Sequence, residues 1–189
     1  EAQKNLKQSL NIKKRIIGSK HPDIAATLHN IAALMERKKE FILALENFNE
    51  SLEINANIYG EKHPKLVKTL IYIADVYVQL GDQNKALKAF EKAASILKTN
   101  NLTNHPWMAK VYDSLGLFWK GNDNNNALNY FENALDIYLK NAESMSANIA
   151  TCYLNIGEIW ADKGDYDKAL DLYQNCLNIR LKIFGEQNL

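Results

Sequence analysis

Hydrophobic side chains recur along this 189-residue chain at the spacing of one face of an α-helix. In four places, apolar residues follow one another at intervals of three, one and three positions, which places all four side chains on one side of a helix. The third place always holds Ala or Gly, so a neighbouring helix can approach closely there. The four sets are Leu28, Ile31, Ala32 and Met35; Leu70, Ile73, Ala74 and Tyr77; Tyr112, Leu115, Gly116 and Trp119; and Tyr153, Ile156, Gly157 and Trp160. We therefore predict four helices, each with one buried face.

A second pattern follows each of these sets and predicts a partner helix. It consists of a small residue, an aromatic residue four positions later and another small residue three positions after that. An aromatic side chain flanked by small residues suits two closely packed antiparallel helices. The sets are Ala44, Phe48 and Ser51; Ala86, Phe90 and Ala93; Ala127, Phe131 and Ala134; and Ala169, Tyr173 and Cys176. The chain is thus predicted to consist of pairs of a first and a second helix, with the Asn-rich stretch 122–126 as the loop inside the third pair.

A His-Pro pair recurs every 42 residues, at positions 21–22, 63–64 and 105–106. Pro suits the first position of a helix, where its missing N–H removes no hydrogen bond. The histidines then fall at the N-cap, and Ser146, a strong N-cap residue, takes this place in the fourth unit. Because neighbouring helices pack about 8–10 Å apart, histidines of successive units lie too far apart to share a metal ion. We therefore predict that the histidines cap helices and that the chain binds no metal.

The helix pairs closely resemble the tetratricopeptide repeat over the whole chain. The 42-residue unit, with Leu-x-Ile ahead of Gly and His-Pro, is similar to the repeat of kinesin light chains, and residues 10–28 and 52–70 carry this likeness. The resemblance implies an all-α, right-handed superhelical solenoid of antiparallel helix pairs. Because the unit is longer than the usual ~34 residues, each helix is expected to gain about one turn and to reach roughly 17 residues.

We predict a single repeat array over residues 1–189, in which 1–18 form the second helix of a preceding repeat. The four repeats then span residues 22–60, 64–100, 106–142 and 147–185. Since the chain begins inside a repeat and with Glu rather than Met, we interpret it as a piece of a longer protein. Uncovered apolar side chains at both ends are expected to promote self-association. These are Leu6, Leu10 and Ile16 at the start, and Leu177, Ile179, Leu181, Ile183 and Phe184 at the end.

The resemblance also implies a function: a non-catalytic scaffold that binds a protein or peptide segment in the concave groove lined by the first helices. The family's groove positions fall here on His29, Asn30, Ala33, Lys68, Ile71, Tyr72, Asp75, Lys110, Asp113, Leu117, Lys120, Asn155 and Glu158. Lys68, Lys110 and Lys120, beside Ile71 and Leu117, predict a partner segment of acidic or mixed character. The two-lysine, two-asparagine clamp of chaperone-binding relatives is missing, so recognition of a chaperone C-terminus is not expected.

Candidate catalytic chemistry is absent from the sequence. There is no phosphate-binding Gly-rich loop and no Gly-x-Ser-x-Gly elbow, and His29 has no neighbouring Cys or Ser nucleophile. Cys152 and Cys176 fall at or beside core positions, which favours buried, unreactive thiols. Two cysteines cannot build a disulfide scaffold, so a reducing cytoplasmic location is expected. We predict neither enzymatic activity nor a cofactor.

The charge distribution separates the alternative functions. The net charge is +1, with +5 in residues 1–20, +3 in residues 61–100 and −3 in residues 141–189. An RNA-binding helical array needs a continuous basic stripe, and these patches are interrupted, so we predict no nucleic-acid partner. No apolar run is long enough to span a membrane. A self-association module remains the alternative to a scaffold that captures another protein.

Overall fold

The computed structural model describes the backbone of residues 2–185 and the side chains of residues 5, 8–141, 146–183 and 185. The described chain is helical from end to end, and the prediction of an all-α fold built from helix pairs is confirmed. The helices are α1 Ala2–Ile17, α2 Pro22–Arg37, α3 Phe41–Tyr59, α4 Val67–Gln79, α5 Gln83–Thr99, α6 Pro106–Trp119, α7 Asn124–Lys140, α8 Ala142–Asp162 and α9 Tyr166–Phe184. A short 3-10 turn, Pro64–Leu66, precedes α4.

The helices group into two compact units, residues 1–101 and residues 102–189. Unit 1 contains α1 to α5, and its first helices α2 and α4 contact each other directly. Its core joins three helices, because Met35 of α2, Phe48 of α3 and Val76 of α4 belong to one cluster of buried side chains. Unit 2 contains α6 to α9, and Phe131 of α7 packs with Ile159 of α8 in its core. In each unit a second helix therefore lies against the first helices on both sides of it in the sequence.

The small third position of the first helices allows this close packing. At Gly157 of α8, a Cβ atom would lie 2.7 Å from the Tyr173 ring of α9, which is closer than carbon atoms approach one another. At the corresponding place in unit 1, Ala32 and Ala74 are completely buried. The apolar and small positions that the sequence pattern assigned to the helix interfaces are thus confirmed as interface positions.

The three histidines cap helices, as predicted. His21 Nδ1 accepts a hydrogen bond from the backbone N–H of Asp23 at 3.2 Å. His63 and His105 accept in the same way from the backbone N–H two residues further on, each at 3.1 Å. Each histidine has extended backbone angles and is followed by Pro at the first helical position. The His-Pro pair is therefore a structural signal for helix entry.

Ser146 does not cap α8, and this prediction is wrong. The helix begins at Ala142, so Ser146 is its fifth residue and Asn141 is its N-cap. The reason is the residue that follows. Ala147 has a backbone N–H and does not clash with the preceding turn, whereas Pro lacks the N–H and would clash. The helix therefore continues upstream of the place where the other first helices begin, and it starts before the predicted boundary at residue 147.

The Asn-rich stretch does not form a loop throughout, which corrects a second prediction. Helix α7 begins at Asn124, and Asp123 is its N-cap, accepting hydrogen bonds from the backbone N–H groups of Asn125 and Asn126 at 3.1 and 3.0 Å. Asp is among the strongest N-cap residues, so a helix can start directly after Asp123, three residues beyond Gly121. Asn124 accepts a hydrogen bond from the Gly121 backbone N–H at 2.9 Å, which closes the turn.

The apolar residues expected at the two ends are in part exposed. In α1, Ile16 is exposed and Leu10 is half-buried, while Leu6 lies outside the described side chains. In α9, Leu177 and Ile183 are exposed, Ile179 and Leu181 are half-buried, and the Phe184 side chain is not described. Among the described helices, none is both long enough and apolar enough to cross a membrane.

Candidate binding surface of the first helices

The predicted groove residues of unit 1 lie on α2 and α4, but they differ in accessibility. Asn30 and Lys68 are exposed, and Ala33, Tyr72 and Asp75 are half-buried. These five residues form the surface that the two helices present. We call them the unit 1 face.

Two other predicted groove residues lie beneath this face. Ile71 is only 1% exposed, so it belongs to the core and cannot provide an apolar contact for a partner. His29 is also buried, and its Nδ1 forms a 3.2 Å hydrogen bond with Thr69 Oγ1. Its ring meets the rings of Phe48 and Tyr72 edge-on, with centroids 5.2 and 5.0 Å away. Burial, assisted by the nearby Lys68 ammonium, lowers the pKa of His29 to about 4, so the imidazole is neutral at pH 7.

A cleft of about 340 Å³ opens beside the unit 1 face. It is bounded by the first half of α2, the last turns of α3, and the beginning of α4 with its 3-10 turn. The lining residues are Pro22, Asp23, Ala25, Ala26, His29, Asn30, Ser51, Asn55, Tyr59, Lys65, Lys68 and Thr69. We call this site the α2–α3–α4 cleft.

Two lysines with different environments line the α2–α3–α4 cleft. Lys65 Nζ donates a hydrogen bond to Tyr59 Oη at 2.9 Å and lies 4.1 Å from the centre of that ring. The Tyr59 ring also stacks on His63, with centroids 5.0 Å apart. Lys68 is exposed and, within the part of the chain that the structure describes, its ammonium has neither a hydrogen bond nor an ion pair.

Sequence reasoning identified three of the cleft residues, His29, Asn30 and Lys68, and missed Asn55, Tyr59 and Lys65. The missed residues do not lie on the first helices. They come from the last two turns of α3 and from the 3-10 turn, which are the segments that the longer repeat adds between its two core patterns. The excess length of the repeat is the sequence feature that could have directed attention to these segments.

The predicted groove residues of unit 2 are largely engaged with one another. Lys110 Nζ lies 3.1 Å from Asp113 Oδ2, one turn further along α6. Lys120, which follows α6, forms an ion pair with Glu158 of α8 and lies 3.5 Å from Asn155 Oδ1. Of the three lysines expected to make the groove basic, two are thus paired with carboxylates. Leu117 is 50% exposed, so unit 2 offers an apolar contact without excess positive charge.

Two buried polar groups of unit 2, Asp113 and Tyr138, interact electrostatically with Cys152. Asp113 Oδ1 and Tyr138 Oη are buried and have no hydrogen-bond partner among the described residues. Burial, followed by the charge of Asp113, raises the pKa of the Cys152 thiol to about 12 and also raises the pKa of Tyr138. The Cys152 thiol is therefore protonated at neutral pH, and the prediction that Cys152 and Cys176 are buried is confirmed. No three His, Cys, Asp or Glu side chains of the described chain are grouped so that they could hold a metal ion.

Comparison with known sequences shows which family these helix pairs belong to. Profiles of the tetratricopeptide repeat match residues 1–55, 23–99 and 149–188. The Arabidopsis thaliana protein KINESIN LIGHT CHAIN-RELATED 2 is 32% identical over 114 residues, which is 59% of this chain and 17% of that protein. A clustered mitochondria protein homolog from Brugia malayi is 27% identical over 101 residues, or 53% of this chain and 7% of that protein. The chain thus spans less than a fifth of the length of these relatives.

Comparison with solved structures shows the same fold at low sequence identity. BtubC (BKLC) from P. vanneervenii matches with a TM-score of 0.80 at 22% identity, covering 95% of this chain and 72% of that one. A putative kinesin light chain repeat protein of Podosopora anserina matches with a TM-score of 0.69 at 20% identity, covering 97% of this chain and 88% of that one.

Proposed function

This chain belongs to the tetratricopeptide repeat family, and we propose that it is a non-catalytic scaffold that binds a segment of another protein across its first helices. The binding surface consists of the unit 1 face and the α2–α3–α4 cleft beside it. The observation that carries this proposal is the unpaired, exposed Lys68, which belongs to both.

The unit 1 face combines the features of a surface that recognises a peptide. Tyr72 offers a half-buried aromatic ring that is held in place by contacts with Phe48 and His29. Asn30 offers an exposed amide, which can donate to and accept from the backbone of an extended segment. Because Tyr is enriched among the residues that contribute most to binding, a rigid tyrosine next to exposed polar groups favours protein recognition.

The partner segment is acidic or mixed in character, and its charged contact lies at Lys68. Lys110 and Lys120 are paired with Asp113 and Glu158. Of the three lysines predicted to attract an acidic partner, Lys68 of unit 1 therefore provides the charge. An exposed cation steers the approach of an acidic segment, and salt screens this attraction. Binding should therefore weaken as ionic strength rises.

The absence of catalysis is part of the proposal and is supported by the state of the candidate groups. His29 is neutral, buried and hydrogen-bonded to Thr69, and its lowered pKa makes it a weak base. The thiol of Cys152 is buried and remains protonated far above neutral pH. Neither group has the exposure or the pKa that nucleophilic or acid–base catalysis requires.

Self-association is a second candidate, and one observation favours it. The beginning of α9 exposes two large apolar side chains one turn apart, Tyr166 at 72% and Leu170 at 67%. A Leu170→Asp variant tests this candidate by light scattering over a concentration series. The variant should remain monomeric where the wild type associates, whereas a monomeric wild type at every concentration contradicts self-association.

Selection from a phage-displayed library of random dodecapeptides tests the scaffold function. Selected peptides are labelled, and their affinities are measured by fluorescence anisotropy for the wild type, Lys68→Glu and Lys88→Glu. Lys88 is an exposed lysine on α5, a second helix, so its reversal makes the same change of net charge away from the unit 1 face. Lys68→Glu should weaken binding and Lys88→Glu should not. Equal affinities for the wild type and Lys68→Glu contradict the proposed location.

A further inference from the structure

We infer that the α2–α3–α4 cleft is a specificity pocket for one carboxylate side chain, Glu or Asp, of the bound segment. The inference rests on the proposed function and adds a ligand chemistry to it. Besides Asn30 and Lys68 of the unit 1 face, it concerns residues contributed by α3 and by the 3-10 turn, which lie outside that face.

Contacts among the side chains of Tyr59, His63 and Lys65 support one wall of the cleft. His63 accepts a hydrogen bond from the Lys65 backbone N–H and stacks on the Tyr59 ring. Tyr59, in the last turn of α3, in turn accepts the hydrogen bond from Lys65 Nζ and lies beneath that ammonium. These contacts hold the Lys65 ammonium close to Tyr59 before any ligand arrives, which lowers the entropy lost on binding.

Two ammonium groups are available on this wall. The Lys65 ammonium uses one of its three N–H donors on Tyr59, so two donors remain. Lys68 follows three residues later, which brings the two side chains to the same side of the chain. Asp23 is the sole acidic residue among those that line the cleft, and His29 is neutral, so the lining carries a net positive charge.

Neutral donors complete the pocket. The side-chain amides of Asn30 and Asn55 line the cleft from α2 and α3, and neither has a hydrogen-bond partner within the described part of the chain. A carboxylate accepts hydrogen bonds at both of its oxygens, and bonds from charged donors are stronger than neutral ones. Two ammonium groups with two amides therefore match a single carboxylate.

The cleft fits a carboxylate better than a phosphoryl group. Phosphate sites commonly use backbone N–H groups at a helix N-terminus or the planar fork of Arg. Here the N–H groups of Asp23 and Lys65, which begin α2 and the 3-10 turn, already bond to His21 and His63. No arginine lines the cleft, and the Asp23 carboxylate would repel a dianion more strongly than a monoanion.

A double-mutant cycle between a selected dodecapeptide and the protein tests the pocket. Each acidic residue of the peptide is changed to its amide, Glu→Gln or Asp→Asn, and each peptide is titrated against wild type, Lys65→Gln and Lys88→Gln. At one peptide position the amide should lower the affinity for wild type and Lys88→Gln by about tenfold or more. The same peptide change should have a clearly smaller effect on Lys65→Gln, because one of the two ammonium partners is then missing.

The outcomes separate the pocket from the proposed function. Suppose that the selected peptides depend on Lys68 and Tyr72 but contain no acidic residue, or that their affinity falls by less than about twofold at every acidic position. Either result overturns the pocket and leaves the scaffold function intact. Peptides that are indifferent to both Lys68 and Tyr72 overturn the scaffold site itself. A phosphoserine peptide that binds more tightly than its Glu counterpart overturns the choice of a carboxylate. Circular dichroism melts of each variant verify that it is folded.

Discussion

Gly116 of α6 lies directly against the ring of Phe131 of α7, so that a Cβ atom at Gly116 would come within 2.6 Å of Cε1. The helices are therefore closer here than any side chain at position 116 would permit without a shift. Phe131 is completely buried, with core residues around it, so its ring has little room to move.

Gly116→Ala should consequently destabilise the fold. Ala is intrinsically better in a helix than Gly by about 1 kcal/mol, but overpacking a core costs about 1–3 kcal/mol, and the clash should prevail. The free energy of unfolding from urea titration measures the balance, with Leu117→Ala, an exposed neighbour, as the control. A more stable Gly116→Ala variant would show that the two helices separate easily.

The cap at the 3-10 turn makes a second prediction. His63→Ala removes the side-chain acceptor of the Lys65 N–H and should reduce the free energy of unfolding by about 0.5–2 kcal/mol. His63→Asn restores a strong capping acceptor and should recover most of that loss, apart from the stacking on Tyr59. If Asn and Ala prove equally destabilising, the histidine acts through its ring and the capping role is secondary.

Stability should fall in mild acid because His29 is buried without charge. Its pKa is lowered to about 4 in the folded chain from 6.5, so the unfolded chain binds the proton more readily between these values. The contribution is fully present above pH 6.5 and is lost as the pH falls towards 4, by on the order of 3 kcal/mol.

His29→Phe isolates this effect, since it keeps a ring against Phe48 and Tyr72 and removes the titration. The measurement is the free energy of unfolding of both proteins from pH 7 to pH 4. Carboxylates titrate in both, so the difference between the two curves reports His29. Parallel curves would mean that the imidazole is solvated or charged in the native state.

The ion pair between Lys120 and Glu158 joins the end of α6 to α8. Lys120→Glu brings two carboxylates together and should reduce the free energy of unfolding, by no more than about 1 kcal/mol because both side chains are partly exposed. Combining it with Glu158→Lys should restore stability. A double variant as unstable as the single one would show that the pair contributes no attraction.

Sequence periodicity predicted the core of this protein well, because the spacing of apolar and small residues determines which side of a helix is buried. Phe48, Phe90 and Phe131 are each completely buried where the repeat pattern placed them. The His-Pro signal was equally informative, since a cap depends only on residues adjacent in sequence. At residues 146–147, where Ser-Ala replaces His-Pro, the predicted helix start was wrong. Without Pro at position 147, α8 can begin further upstream, at Ala142.

The binding surface was predicted less completely, because it depends on distances between helices. Lys120 and Glu158 are 38 residues apart, and their pairing follows from how α6 and α8 are placed within unit 2. Ile71 occupies a position that the family pattern assigns to the groove, yet the surrounding helices bury it. The cleft residues of α3 belong to a helix that the pattern does not assign to the groove.

A nuclear magnetic resonance titration with a selected dodecapeptide tests the central claim most directly, because the side-chain amides of asparagine give their own signals. Binding at the unit 1 face and its cleft should shift the amide signals of Asn30 and Asn55 and the backbone signals of α2 and α4. Asn129 and Asn133, on the second helix α7, provide unaffected references. Shifts confined to the second helices, with Asn30 and Asn55 unchanged at saturation, would contradict the account.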